Sequence, residues 1–185
     1  MRRQTSVGQR VTTEAGGARA RSLRGFAPVI DRKVETLILG SFPSAASLAH
    51  RQYYAHPRNQ FWPILGTVLG EPLAQLPYDE RLRRVLASRI GIWDVYAACQ
   101  REGSLDSAIR RPRVNDLQHL CEQAPKLARV LFNGRAAGRF AQVFSAAGFM
   151  VAILPSTSPA FASLTLAQKM AAWRRAVWPA AETAN

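Results

Sequence analysis

Two cysteines, three histidines and three lysines are all that 185 residues contain of these types. Cys99 and Cys121 stand far apart, with no CxxC spacing and no paired histidines. That pattern argues against zinc and iron–sulfur frameworks, suggests no disulfide, and fits a reducing cytoplasm. No run approaches the ~20 apolar residues of a membrane-spanning helix, and the N-terminal segment lacks the apolar stretch of a secretory signal. No Gly-rich dinucleotide fingerprint or Walker motif follows any apolar run, which weakens cofactor and nucleotide-hydrolase readings. Acidic residues are few as well: 12, against 25 Lys and Arg, for a formal charge of +13. Most of that excess is arginine, whose guanidinium forks onto phosphate oxygens, so it points to nucleic acid. A simply basic protein would carry the same signature.

What is present suits one domain with a substantial core, since 48% of the residues are hydrophobic. Residues 1–24 hold six Arg and one Glu among Gly, Ala, Thr and Ser, a net +5 with almost nothing large to bury. They are expected to form a disordered basic arm, with a single domain over 25–185. From Val34 onward the pattern alternates strand-like apolar runs with amphipathic stretches, the mark of βαβ units. The strands are expected at Thr36–Leu39, Gly91–Val95, Arg129–Phe132 and Met150–Leu154. Helices are expected at Phe61–Leu69, Asp79–Ala87, Asn115–Gln123, Arg135–Ala147 and Thr165–Trp178. The last begins with a Thr165/Gln168 capping-box spacing, and its Met170, Trp173 and Val177 stripe reads as core.

Parallel strands place all their carboxyl ends along one sheet edge, where open α/β sheets bind ligands. Four loops should therefore converge: Gly40–Trp62, the stretch from Asp94 through Asp106, Asn133-Gly134-Arg135, and Leu154–Phe161. The first is the densest, with Tyr53, Tyr54, His56, Asn59, Phe61 and Trp62 within ten residues. Rings beside amide and imidazole groups suit a flat polar ligand such as a nucleobase. Asn59, Asp94 and Asn133 are candidate polar readers. Ser156, Thr157 and Ser158 offer hydroxyls for phosphate contacts.

GSFPS after the first strand, HPRNQFW some fifteen residues on, IGIWDVY mid-chain and LPSTSPA after the last strand resemble the uracil-DNA glycosylase superfamily. The similarity is greatest to its hypoxanthine-DNA (deoxyinosine) glycosylase branch and covers roughly Phe26 to Val177. The resemblance implies a three-layer α/β/α sandwich around a central four-stranded parallel sheet, with no metal and no organic cofactor. It implies a monofunctional enzyme of base excision repair, acting as a monomer on DNA that contains uracil or another deaminated base. A cytoplasmic, nucleoid-associated protein follows from that. The target nucleotide would be flipped into a pocket and water would displace the base from C1′.

Carried over residue by residue, the resemblance has one gap. Many relatives place Asp or Asn two residues after the glycine of the first motif; here that position is Phe42, which has no such chemistry. The branch it resembles uses the Asn of HPRN, so Asn59 becomes the water-positioning candidate, a turn-bracing Asn being the plainer alternative. Asp94 could accept the N1–H of hypoxanthine or stabilise positive charge on the sugar; it could equally cap the turn after its strand. Gly40, Ser41 and Phe42 would hold a base oxygen through backbone N–H groups. Phe61 would stack on the base, Tyr53 or Tyr54 would wall the pocket, His56 could donate to a base oxygen, and Asn133 could sit on the pocket floor. Ser44, Ser156, Thr157, Ser158, Pro159 and Arg135 would meet DNA, and Ala160 or Phe161 could wedge into the vacated stack. Lys33, Lys126 and Lys169 fall outside all four loops, so no Schiff-base lyase step is expected. A non-catalytic DNA-binding relative and an unrelated small-molecule enzyme remain as rivals.

Overall fold

The computed structural model describes residues 22–178. The described elements follow in the order β1 (Leu23–Arg24), β2 (Thr36–Gly40), α1 (Ala45–His50), α2 (Phe61–Leu69), α3 (Tyr78–Ala87), β3 (Ile90–Asp94), β4 (Tyr96–Gln100), β5 (Arg110–Val114), α4 (Leu117–Gln123), β6 (Arg129–Asn133), α5 (Arg135–Gly138), α6 (Ala141–Ala146), β7 (Met150–Leu154) and α7 (Leu166–Val177). The four expected strands form one parallel sheet in the order β3-β2-β6-β7. Every residue of β2 and β3 is buried, which is why these strands read as unbroken apolar runs rather than alternating ones. Helices flank the sheet as an α/β/α sandwich. α7 packs on α2 and β7, and its Trp173 and Val177 are buried among the core side chains while Met170 packs half-buried against them.

The chain leaves β2 for β3 on one side and later returns to β6 on the other side of β2. That reversal opens a crevice at the carboxyl ends of β2 and β6, the position where doubly wound sheets hold ligands. The fold thus places GSFPS and Asn133 next to each other although some ninety positions separate them.

Three features depart from the expected elements. The stretch 135–147 is two short helices, because the chain turns at Arg139-Phe140; a side chain at Gly138 would press on Ile153, so α5 lies close on β7. Ala45–His50, expected as loop, is a helix capped by the Ser44 hydroxyl, which accepts from the Ser47 N–H at 3.1 Å. A second, antiparallel sheet of β1, β4 and β5 is present. Its β5 is RRPRV, exposed at all five positions; with a proline and no apolar alternation it carries no strand signal. Of the arm expected over 1–24, residues 1–21 lie outside the described residues. Leu23 and Arg24 pair with Cys99 and Ala98, so those two positions belong to the folded domain.

Candidate active site

The four loops do converge. Gly40–Ser44 at and after the end of β2, Ser104 and Asp106 between β4 and β5, Asn133 at the end of β6 and Ser156–Ser158 after β7 line one cavity of about 90 Å³. Tyr53, Tyr54, Asn59 and Asp94 complete its wall, together with Ser47, for which the sequence held no signal.

Asp94 ends β3 at 4% exposure, and its Oδ2 has no hydrogen-bond partner among the described residues. Burial pushes its pKa up to about 7; the charge of Asp106 adds to the rise and Arg101 opposes it. Gly40 faces Asp94 across the ladder. A methyl at Gly40 would run into Asp94 Oδ1 and lie 3.0 Å from the Tyr54 hydroxyl. The glycine is there because the carboxylate and the phenol occupy the space its side chain would need.

The β4–β5 loop fastens the first motif. Ser41 Oγ donates to Asp106 at 2.5 Å and the Ala45 N–H donates to Ser104 Oγ at 2.9 Å. The buried Arg101 guanidinium donates to the Pro43 carbonyl and lies 5.1 Å from the centroid of the Phe42 ring. Phe42 is therefore a buried, apolar part of the wall, 6% exposed, and offers the cavity no polar group. Ser104 and Asp106 fall in one of the expected loops, but nothing local in the sequence singles them out. Only the return of the hairpin over the sheet edge brings them in.

Asn59 precedes α2, and its Oδ1 accepts the Phe61 N–H at 3.0 Å. The bracing reading is thus correct as geometry, yet Asn59 also lines the cavity. A carbonyl oxygen has two lone pairs, so the brace fixes the amide and leaves one lone pair and the NH₂ group for a ligand. Asn133 spends both ends of its amide on Thr157: Nδ2 donates to the hydroxyl and Oδ1 accepts the backbone N–H, each at 2.9 Å. It sits in the cavity wall as a loop fastener.

Several assignments change in the structure. Phe61 has no exposed surface and does not line the cavity. The Tyr54 ring lies in front of it, stacked at 3.7 Å between centroids and 16° between planes, so the ring available to a ligand is Tyr54. That tyrosine adopts φ 55°, a backbone conformation costly for an aromatic residue and common where geometry serves a site. Burial and the charge of Asp94 raise its hydroxyl pKa well above the ordinary value. Tyr53 lies behind, its hydroxyl donating to the Ala27 carbonyl at 3.1 Å. His56 does not reach the cavity; its Nδ1 accepts the Arg58 N–H at 3.1 Å, and it faces a neighbouring groove with His50 and Arg81. Thr157, expected at DNA, is fully buried with its hydroxyl held by Asn133. Ser156 and Ser158 line the cavity, whereas Pro159, Ala160 and Arg135 are exposed outside it.

Lys169, placed outside the site by its sequence position, has a structural part in it. It is 2% exposed and donates from Nζ to Gln60 Oε1 at 2.8 Å and to the Phe161 carbonyl at 2.7 Å. Its Nζ also lies 5.2 Å from the Phe161 ring centroid, which draws Phe161 back toward α7. Gln60 in turn donates its N–H to the Thr157 carbonyl at 3.0 Å, and Trp173 Nε1 holds the Pro155 carbonyl at 3.0 Å. α7 thereby ties the loop of Asn59 to the last loop. Lys169→Met should strand the two acceptors and lower stability by about 1–3 kcal/mol in urea unfolding; an unmoved midpoint would show that the loops hold without it.

Among the described residues no group of three or more His, Cys, Asp or Glu could hold a metal ion, and no helix is long and apolar enough to cross a membrane.

Comparison with known proteins agrees with the arrangement. A family model described as the uracil DNA glycosylase superfamily matches residues 27–182. The chain is 44% identical over 137 residues to a protein of Methanosarcina acetivorans named Hypoxanthine DNA glycosylase, covering 74% of this chain and 87% of that one. A protein of the same name from Methanosarcina barkeri is 43% identical over 137 residues, with the same coverage. A solution NMR structure of a candidate uracil DNA glycosylase from Methanosarcina acetivorans superposes with a TM-score of 0.74 at 40% identity, covering 84% of this chain and 98% of that one.

Proposed function

The chain belongs to the uracil DNA glycosylase superfamily, and from that premise we propose that it is a monofunctional DNA glycosylase removing deaminated bases, hypoxanthine first and uracil second. The observation that carries the reading is the orphaned Oδ2 of Asp94, buried in the cavity wall beside the Tyr54 ring. A buried acceptor without a partner is costly to maintain, and the N1–H of hypoxanthine or the N3–H of uracil is a donor that would satisfy it. The relatives named above direct the preference toward hypoxanthine.

In this reading the target nucleotide leaves the duplex and its base stacks on Tyr54, with Phe61 behind that ring and Tyr53 in the wall beside it. Flipping costs a few kcal/mol and least at a mispaired base, so selection begins before chemistry. Asn59, fixed by its bond to Phe61, orients a water at C1′. The C1′–N bond breaks as the water oxygen bonds to C1′; the bond's electron pair leaves with the base, and the proton given up by the water passes through solvent to that base, which departs neutral. Ser41 and Phe42 N–H groups stabilise charge growing on the base oxygen, and an ionised Asp94 stabilises the oxocarbenium-like sugar. An amide is a weak base, so the contribution of Asn59 is orientation. Ser44, Ser156 and Ser158 meet the flanking backbone, with Pro159 and Ala160 exposed at the turn for the vacated stack. None of the three lysines lines the cavity, which favours hydrolysis without a lyase step.

The test is base release from duplexes carrying one deoxyinosine or one deoxyuridine, read by strand cleavage in alkali. Asn59→Ala is expected to lower release by about 10²–10³-fold with DNA binding retained. Unchanged release in that variant would move the water-orienting role elsewhere in the cavity. The apolar Phe42 in the wall keeps one rival specific: a DNA-binding relative would bind such duplexes and release nothing.

A further inference from the structure

We propose that the exposed strand β5 is a DNA-backbone contact, with Arg110, Arg111 and Arg113 gripping duplex phosphates beside the cavity that receives the extrahelical nucleotide. The inference rests on the glycosylase reading for its ligand and on three independent observations for its place.

All five residues of β5 are exposed, and three of them are arginines within four positions. Adjacent like charges repel, so such a cluster is a favourable place for an external anion. Arg83 and Arg84 are paired with Glu80, and Arg89 with Glu35; what sets β5 apart is three exposed arginines within four positions of one strand. Among the described residues, none of the β5 arginines forms an ion pair; the Arg110 guanidinium donates only to the carbonyls of Ser107 and Ile109. The local backbone also favours display. β5 pairs with β4 through an irregular register, and Arg111 takes φ 45° next to Pro112. That bulge turns side chains out instead of letting alternate ones bury.

The position ties the strand to the cavity at both ends. Asp106 lines the cavity four residues before Arg110. Just after Val114, the Asn115 side chain donates to the Asp94 carbonyl at 2.8 Å, and its N–H donates to the Val95 carbonyl at 2.8 Å. The basic strand is therefore joined to the cavity wall through Asp106 before it and to the backbone of Asp94 through Asn115 after it. A polyanion that places one nucleotide in the cavity would lay neighbouring phosphates along this strand. Charge complementarity favours the DNA backbone over an acidic protein, because the site that the strand adjoins is the one proposed to receive a nucleotide.

The experiment compares the full chain with R110A/R111A/R113A, and with R174A/R175A on α7, a loss of two exposed charges outside the cavity lining, the drops being compared per charge removed. Affinity for a short duplex is measured by fluorescence anisotropy between about 50 and 200 mM salt, and base release is measured in single turnover at saturating enzyme. Each phosphate that the strand no longer neutralises should make the slope of log K against log salt shallower by about 0.9. A drop of about 2–3 in the β5 variant, with affinity reduced at least tenfold and saturated release within about twofold of wild type, is the expected result. An unchanged slope overturns the proposal, and so does an equal drop in the α7 variant, which would mean diffuse charge. The two readings fail separately: a lowered slope with no base release in wild type leaves the surface and removes the glycosylase, and normal release with an unchanged slope does the reverse.

Discussion

Gly40→Ala is expected to lower base release by about 10²-fold or more, measured in single turnover on the deoxyinosine duplex. The added methyl would meet Asp94 Oδ1 head-on and crowd the Tyr54 hydroxyl. Neither group can yield cheaply. Asp94 is anchored at the end of a buried strand, and the Tyr54 ring is trapped on Phe61. The overpacking should cost about 1–3 kcal/mol in urea unfolding, so the protein should remain folded while its cavity is displaced. Release at the wild-type rate would show that the carboxylate and the phenol are not the geometry on which the reaction depends. Gly40→Ala combined with Asp94→Ala separates the two effects. Removing the carboxylate should restore most of the lost stability and none of the activity.

Asp94→Asn should move stability and activity in opposite directions. A carboxyl held near pH 7 against an ordinary 3.8 binds its proton more tightly in the folded chain than in the unfolded one. Its stabilising contribution is therefore fully present below about pH 4 and is lost as pH rises to about 7. Above that, the buried charge costs on the order of 4 kcal/mol. The variant should lack this loss, so its advantage over wild type in urea should grow by about 3–4 kcal/mol between pH 4 and pH 8. Base release should change the other way. Wild-type release should rise through about pH 7 as the carboxylate ionises and accepts the base N–H, while the variant stays low and flat across that range. A parallel stability difference at both pH values would mean that the carboxylate is not held in its protonated form by the fold.

The sheet was legible because strands buried on both faces leave continuous apolar runs, and the central residues Leu37–Leu39 and Ile90–Trp93 of two fully buried strands are such runs. The convergence of loops followed from parallel topology alone. The reading failed where a side chain's direction or partner is set by the backbone path or by a distant part of the chain. Phe61 and Tyr54 are both aromatic and seven residues apart, and only the backbone turn at Tyr54 decides which ring faces the cavity. Thr157 and Asn133 look like free polar groups in sequence, but they satisfy each other. β5 was invisible for a different reason. Its pairing comes from β4 across a hairpin, and its own residues were fitted to solvent and charge rather than to strand formation.

The buried ammonium of Lys169 also bears on when the cavity comes into being. Its bond to Gln60 spans 109 positions, so it couples the first loop to the last helix across most of the domain. The parallel sheet can be paired without that bond, but the loop of Asn59 and the last loop acquire a common anchor only when α7 docks. A chain with a formed sheet but an undocked α7 would therefore lack the Lys169 tie between the loop of Asn59 and the last loop.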